Sequence, residues 1–96
     1  MRKLETRAAD ISPDEVCVRF ARRKTALVVK KLDRTTILIE GTKAGLEFLG
    51  ALLVAQARFN KDCGFQLGPR SAGSTFFRKG SKFGLYIHRL CSKGAL

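Results

Sequence analysis

One histidine, His88, is all the imidazole that the 96 residues contain. Nucleophilic catalysis needs a thiol or hydroxyl beside a base that a third group orients. With a single imidazole, no such spacing is visible. The eight carboxylates are dispersed, so acid–base work by a carboxylate pair has no candidate either. Both absences point away from an enzyme. The three cysteines, Cys17, Cys63 and Cys91, are odd in number and irregularly spaced, which is not the pattern of a disulfide framework. His88-Arg89-Leu90-Cys91 has an H-x-x-C spacing, but there is no C-x-x-C pair. On a strand, His88 and Cys91 would also point to opposite faces, so no metal or other cofactor is expected.

Long apolar runs are missing as well. The longest, LGALLVA at 49–55, is far too short to span a bilayer. The basic start MRKLETRAAD is not followed by the apolar segment of a signal peptide. A cytoplasmic protein with no membrane partner is the expectation. GPRSAGS at 68–74 is glycine-rich and carries Arg70, yet it lacks the Lys-Ser/Thr of a P-loop. A backbone nest for an anion is one reading of it, and an ordinary loop is the other.

What the chain has in excess is positive charge. Nineteen Lys and Arg stand against eight Asp and Glu, for a net charge of +11. Residues 1–35 hold ten basic and five acidic residues, and residues 58–96 hold eight and one. Residues 36–57 hold one basic and two acidic residues, a net charge of −1. A surplus on this scale attracts anionic partners.

The hydrophobic pattern predicts one α+β domain over 14–92, after a flexible lead-in at 1–13 and before a short tail at 93–96. Val16, Val18 and Phe20 alternate as in a half-buried strand. Residues 25–32 fit strand or helix and are read as strand, and TTILIE at 35–40 is strongly β-like. Thr42 then caps a helix over about 43–59, with Leu46, Leu49 and Leu53 on one face. Gly45 and Gly50 in that helix suggest close approach to a sheet. Phe65 and Leu67 mark another strand, STFFR a further one, and 83–90 the last. The expected fold is therefore an antiparallel sheet of about five or six strands, in the order β-β-β-α-β-β-β. One long helix would cover one of its faces, its leucines meeting Val16, Val18, Ile37, Ile39, Leu85 and Ile87.

No RNA-recognition motif, double-stranded-RNA domain or helix-turn-helix fits this order. Basic residues beside aromatic ones remain, an arrangement that can neutralise phosphates and stack bases. The candidate binding residues are Arg19, Arg22, Arg23 and Lys24 in one cluster and Arg78, Lys79, Lys82 and Arg89 in another. Tyr86 and His88 on the outward face of the last strand join them.

Residues 36–57, TILIEGTKAGLEFLGALLVAQA, form a strand, a Gly-Thr junction and a Gly-Leu-x-x-Leu-x-x-x-Leu helix. With Phe65, Leu67 and the closing strand, this resembles small bacterial immunity-type proteins of polymorphic toxin systems. The resemblance implies a non-enzymatic protein that binds a partner protein. A neutraliser of a basic nuclease would be acidic, so the fold is the part carried over. The expected function is binding of an anionic macromolecule, RNA or DNA. An acidic protein partner, or a homodimer through the uncovered sheet face, is the alternative.

Overall fold

Four residues write the start of the first helix. Ser12 accepts the Glu15 backbone N–H on its hydroxyl at 3.1 Å, Pro13 occupies the first turn, and Asp14 and Glu15 place negative charge there. In the computed structural model, which describes residues 11–59 and 63–90, this helix α1 spans Pro13–Phe20. Residues 1–10 of the lead-in expected at 1–13, residues 60–62, Cys91 and the tail at 93–96 lie outside the described residues. The strand expected from the alternation of Val16, Val18 and Phe20 is therefore corrected to a helix. Val16 and Phe20 are four apart and turn to the core, while Val18, between them, is 69% exposed.

Two strands follow, β1 at Val28–Asp33 and β2 at Thr36–Glu40, paired antiparallel as a hairpin. Helix α2 then runs Lys43–Arg58, with Thr42 accepting the Gly45 N–H at 2.9 Å. Beyond it, β3 at Gly64–Leu67 pairs antiparallel with β4 at Leu85–His88. The two ladders are separate two-stranded sheets, not one sheet of five or six strands. The segment read as strand STFFR is instead a short 3-10 helix at Ser74–Phe76.

The core forms where α2 meets α1 and the 67–76 region. Phe48 is fully buried, its ring 5.4 Å from Phe20 and stacked at 4.2 Å on Phe76. Leu27, Leu52, Ala55 and Leu67 close around them. Each large side chain buried this way contributes about 1.5–3 kcal/mol. Leu85 and Ile87 pack against this cluster, as expected, whereas Ile37 and Ile39 are 50% and 42% exposed. The helix does not cover the first hairpin, because residues 30–37 of that hairpin are exposed along their length.

A seam of long-range hydrogen bonds joins 25–29 to 76–83. The Leu27 N–H donates to the Phe76 carbonyl at 2.9 Å, and the Arg78 N–H to the Leu27 carbonyl at 2.9 Å. The Thr25 hydroxyl donates to the same Phe76 carbonyl at 2.7 Å. Buried Ser81 accepts the Val29 N–H at 2.9 Å, and the Val29 carbonyl accepts the N–H groups of Lys82 and Phe83. Gly45 permits the close approach of α2 to this region, since a Cβ there would stand 2.1 Å from the Thr25 carbonyl oxygen. Gly50 has no such reason: its Cβ position is open. Cys63 is disulfide-bonded and Cys17 is a free thiol. The irregular spacing had not suggested that bond, because spacing does not report distance between strands.

Candidate anion-binding site

After Asp62 the sequence contains no Asp or Glu, so every charged side chain of the β3–β4 unit is cationic. The connection between the two strands is long and is held by its own hydrogen bonds. The Gly68 N–H donates to the Ala72 carbonyl at 3.0 Å, and the Ser74 N–H to the Ser71 carbonyl at 3.1 Å. Gly73 sits at φ +82° directly over Leu67, where both backbone and space exclude a side chain. A second turn, 78–81, closes with the Ser81 N–H on the Arg78 carbonyl at 3.1 Å, and Gly80 supplies φ +101°. The seam to 25–29 fixes that turn, so Arg78, Lys79 and Lys82 project from rigid backbone.

Between these turns lies an open cleft of ≈430 Å³. Arg70, Arg78 and Lys79 line it beside Ser74, Thr75 and Phe77, and among the described residues no carboxylate does. A smaller depression of ≈150 Å³ shares Pro69 and Arg70 with it and adds Lys82 and Gln66. Gln66 pairs in register with Tyr86, and cross-strand partners share a face. On that face the Tyr86 and His88 rings stack at 6.0 Å and 16°. The Tyr86 ring also lies over Gly64, where a Cβ would be 2.2 Å from its hydroxyl. Both side chains are exposed.

Other candidates are engaged elsewhere. Arg19 pairs with Glu15 at 3.5 Å; Arg23 reaches Glu47 at 3.8 Å and lies over the Phe20 ring at 5.2 Å. Only Arg22 and Lys24 of that cluster have no ion pair among the described residues. Arg89 turns away from its expected neighbours. Its guanidinium donates to the carbonyls of Gln56 at 3.2 Å and Phe59 at 2.9 Å, at the end of α2, where orphan carbonyls and the helix dipole favour a cation. Arg78 has a long, exposed contact with Glu40 at 3.9 Å, an interaction worth little in water. Arg70 is the residue missing from the candidate set. Its signal was the glycine-rich loop that carries it.

Burial, and then the charge of Asp14, push the Cys17 thiol above its ordinary range, which disfavours the nucleophilic thiolate. Cys17 lines one cavity, at α1, and His88 another, beside α2. Among the described residues no three His, Cys, Asp or Glu side chains converge as metal ligands, and no helix is long and apolar enough to cross a membrane. No protein-family model, curated protein or solved structure matches the chain.

Proposed function

We propose that the protein binds a nucleic acid strand, RNA or DNA, across the face that runs from the Arg70–Arg78–Lys79 cleft past Lys82 to the Tyr86–His88 ring pair. One observation carries the reading: a set of cations on rigid turns, lining a cleft with no carboxylate among its described lining residues, adjoins an exposed aromatic stack. Phosphates would meet the cations, and a base would stack on the Tyr86 ring. Electrostatic neutralisation of three or four phosphates gives a log–log salt slope of about −2 to −3 for a single strand. The reading is tested by fluorescence anisotropy of a labelled oligonucleotide at two salt concentrations. The triple reversal Arg70→Glu, Lys79→Glu, Lys82→Glu is expected to lower affinity at least tenfold and to flatten the slope. Unchanged affinity would overturn it.

A second reading, binding of an acidic protein, follows the resemblance noted above. Its support is the outward side of α2, where Leu46, Leu53 and Val54 are 49%, 50% and 45% exposed. Pull-down by an acidic protein that survives the triple reversal but fails after Leu53→Glu would favour it.

A further inference from the structure

The two faces of the β3–β4 ladder are built from different residue types. Alternation turns Phe65, Leu67, Leu85 and Ile87 inward, where they pack on the core. The opposite face receives Gly64 with its partner His88, and Gln66 with its partner Tyr86. From the two strands this face therefore carries two rings, one carboxamide and no aliphatic side chain. At the end nearest the cations, Gly68 and Gly84 continue the strands backbone to backbone: a Cβ on Gly84 would lie 2.7 Å from the Gly68 Cα. They help to line the ≈150 Å³ depression that Gln66 shares with Arg70 and Lys82. At the other end, Gly64 leaves the space that the Tyr86 ring fills. A Cβ there would stand 2.2 Å from the Tyr86 hydroxyl and 2.7 Å from the ring carbon that bears it. Gly64 thus seats the Tyr86 ring, nearly parallel to that of His88, while leaving Tyr86 64% exposed.

We propose that this face takes one unpaired nucleobase, stacked on the Tyr86–His88 ring pair with its edge toward the Gln66 carboxamide, so that the ligand is a single strand. The inference rests on the nucleic-acid reading above and narrows its substrate class. A planar base needs exposed rings and a surface on which no branched side chain stands in its way. Glycine at 64, 68 and 84 supplies that surface. Arg70 and Lys82, at the end of the same face, would hold the phosphates of the strand that carries the base. In a duplex the base faces are already stacked and paired, so only base edges and backbone are free to meet a protein. The face suits a protein partner poorly. The buried centre of a protein interface calls for packed apolar area, and here glycines leave none between the rings and the cations.

Anisotropy with the full chain tests it, comparing a labelled single strand with an abasic sugar–phosphate strand of equal length. The single strand should bind about fivefold or more tightly, the lower end of what one stacked base contributes. Tyr86 is the sole tyrosine and the chain has no tryptophan, so intrinsic emission reads this ring alone. The unlabelled single strand should quench it, and neither the abasic strand nor a duplex should. Gly64→Ala tests the seat. The three atoms nearest its methyl group all belong to the Tyr86 side chain, so the exposed ring gives way and the unfolding transition should stay in place. Affinity for the single strand should fall to that of Tyr86→Ala, about fivefold or more, with abasic affinity and the salt slope unchanged. Equal binding of the two strands, or unquenched emission, overturns the proposal; the cation reading then stands if the triple reversal still lowers affinity. A Gly64→Ala protein that binds like the parent also overturns it. If the triple reversal changes nothing, the reading itself falls and the proposal with it.

Discussion

The molecule contains the same motif twice and treats it in opposite ways. Both ladders are antiparallel pairs of short strands. In β3–β4, Leu67 is buried, Leu85 and Ile87 pack on the core, and Arg89 ties the strand end to α2. In β1–β2, only Val28 and Val29 are buried, at the seam, and everything beyond them is exposed or half-buried. The charges divide likewise. The first hairpin carries Asp33 and Glu40 among its cations, whereas the second unit carries no carboxylate. A ladder's role is thus decided by what packs on it, not by its own hydrogen bonds. The covered one becomes a platform for exposed cations and rings, and the uncovered one becomes an edge.

Phe76 is the point where the two regions share a core, so Phe76→Ala should have the largest effect. The stacked ring on Phe48 and its burial are lost together, for about 3–5 kcal/mol in denaturant unfolding. Phe76 also sits inside the connection that displays the cations, so anion affinity should fall with stability. The two glycines of α2 separate the regions more finely. Gly45→Ala drives a methyl group into the Thr25 carbonyl at the foot of the first hairpin and should cost about 2–3 kcal/mol. Gly50→Ala meets open space and should stabilise by about 0.5–1 kcal/mol. The smallest expected effect is acid sensitivity confined to the first hairpin. The Thr35 N–H, then the Thr36 hydroxyl, hold the Asp33 carboxyl below its ordinary 3.8. A carboxyl lowered in the folded state stabilises above its unfolded pKa, and that contribution fades as pH falls through the folded value. Protection of the Thr35 amide, measured against its intrinsic exchange rate, should therefore fall below about pH 4, with no matching change in β3–β4. Asp33→Asn should remove the pH dependence.

Much of α2, β2 and β4 was legible because one period held through each segment, and Thr42 marked a boundary. Residues 13–20 misled because V-x-V-x-F satisfies both periods: positions 16 and 20 share a strand face and a helix face alike. Ser12-Pro13-Asp14-Glu15 held the deciding signal. The single wide sheet was not legible, since alternation identifies a strand but not its partner. Phe76 looked like a strand residue because it is aromatic, yet the αL glycine at 73 bends residues 74–76 into a 3-10 turn, while Phe77 is extended and bridges Leu27. At the candidate site, Lys79 and Lys82 were readable as exposed cations. The engagement of Arg89 was not, because its carbonyl acceptors lie 33 and 30 positions away.

The seam carries a kinetic consequence. Its side-chain bonds join residues 51 and 52 positions apart, so closing it means ordering most of the chain at once. Loop closure of this length must precede the contacts that reward it, which places folding toward the slow, high-contact-order end for mixed α/β domains. Both α-helices among the described residues and the first hairpin lie before residue 59, yet Leu27 and Phe48 lack their covering until Phe76 arrives. A growing chain emerging from a ribosome would therefore hold residues 11–59 open until residues 76–83 are made, and then close in a single cooperative step.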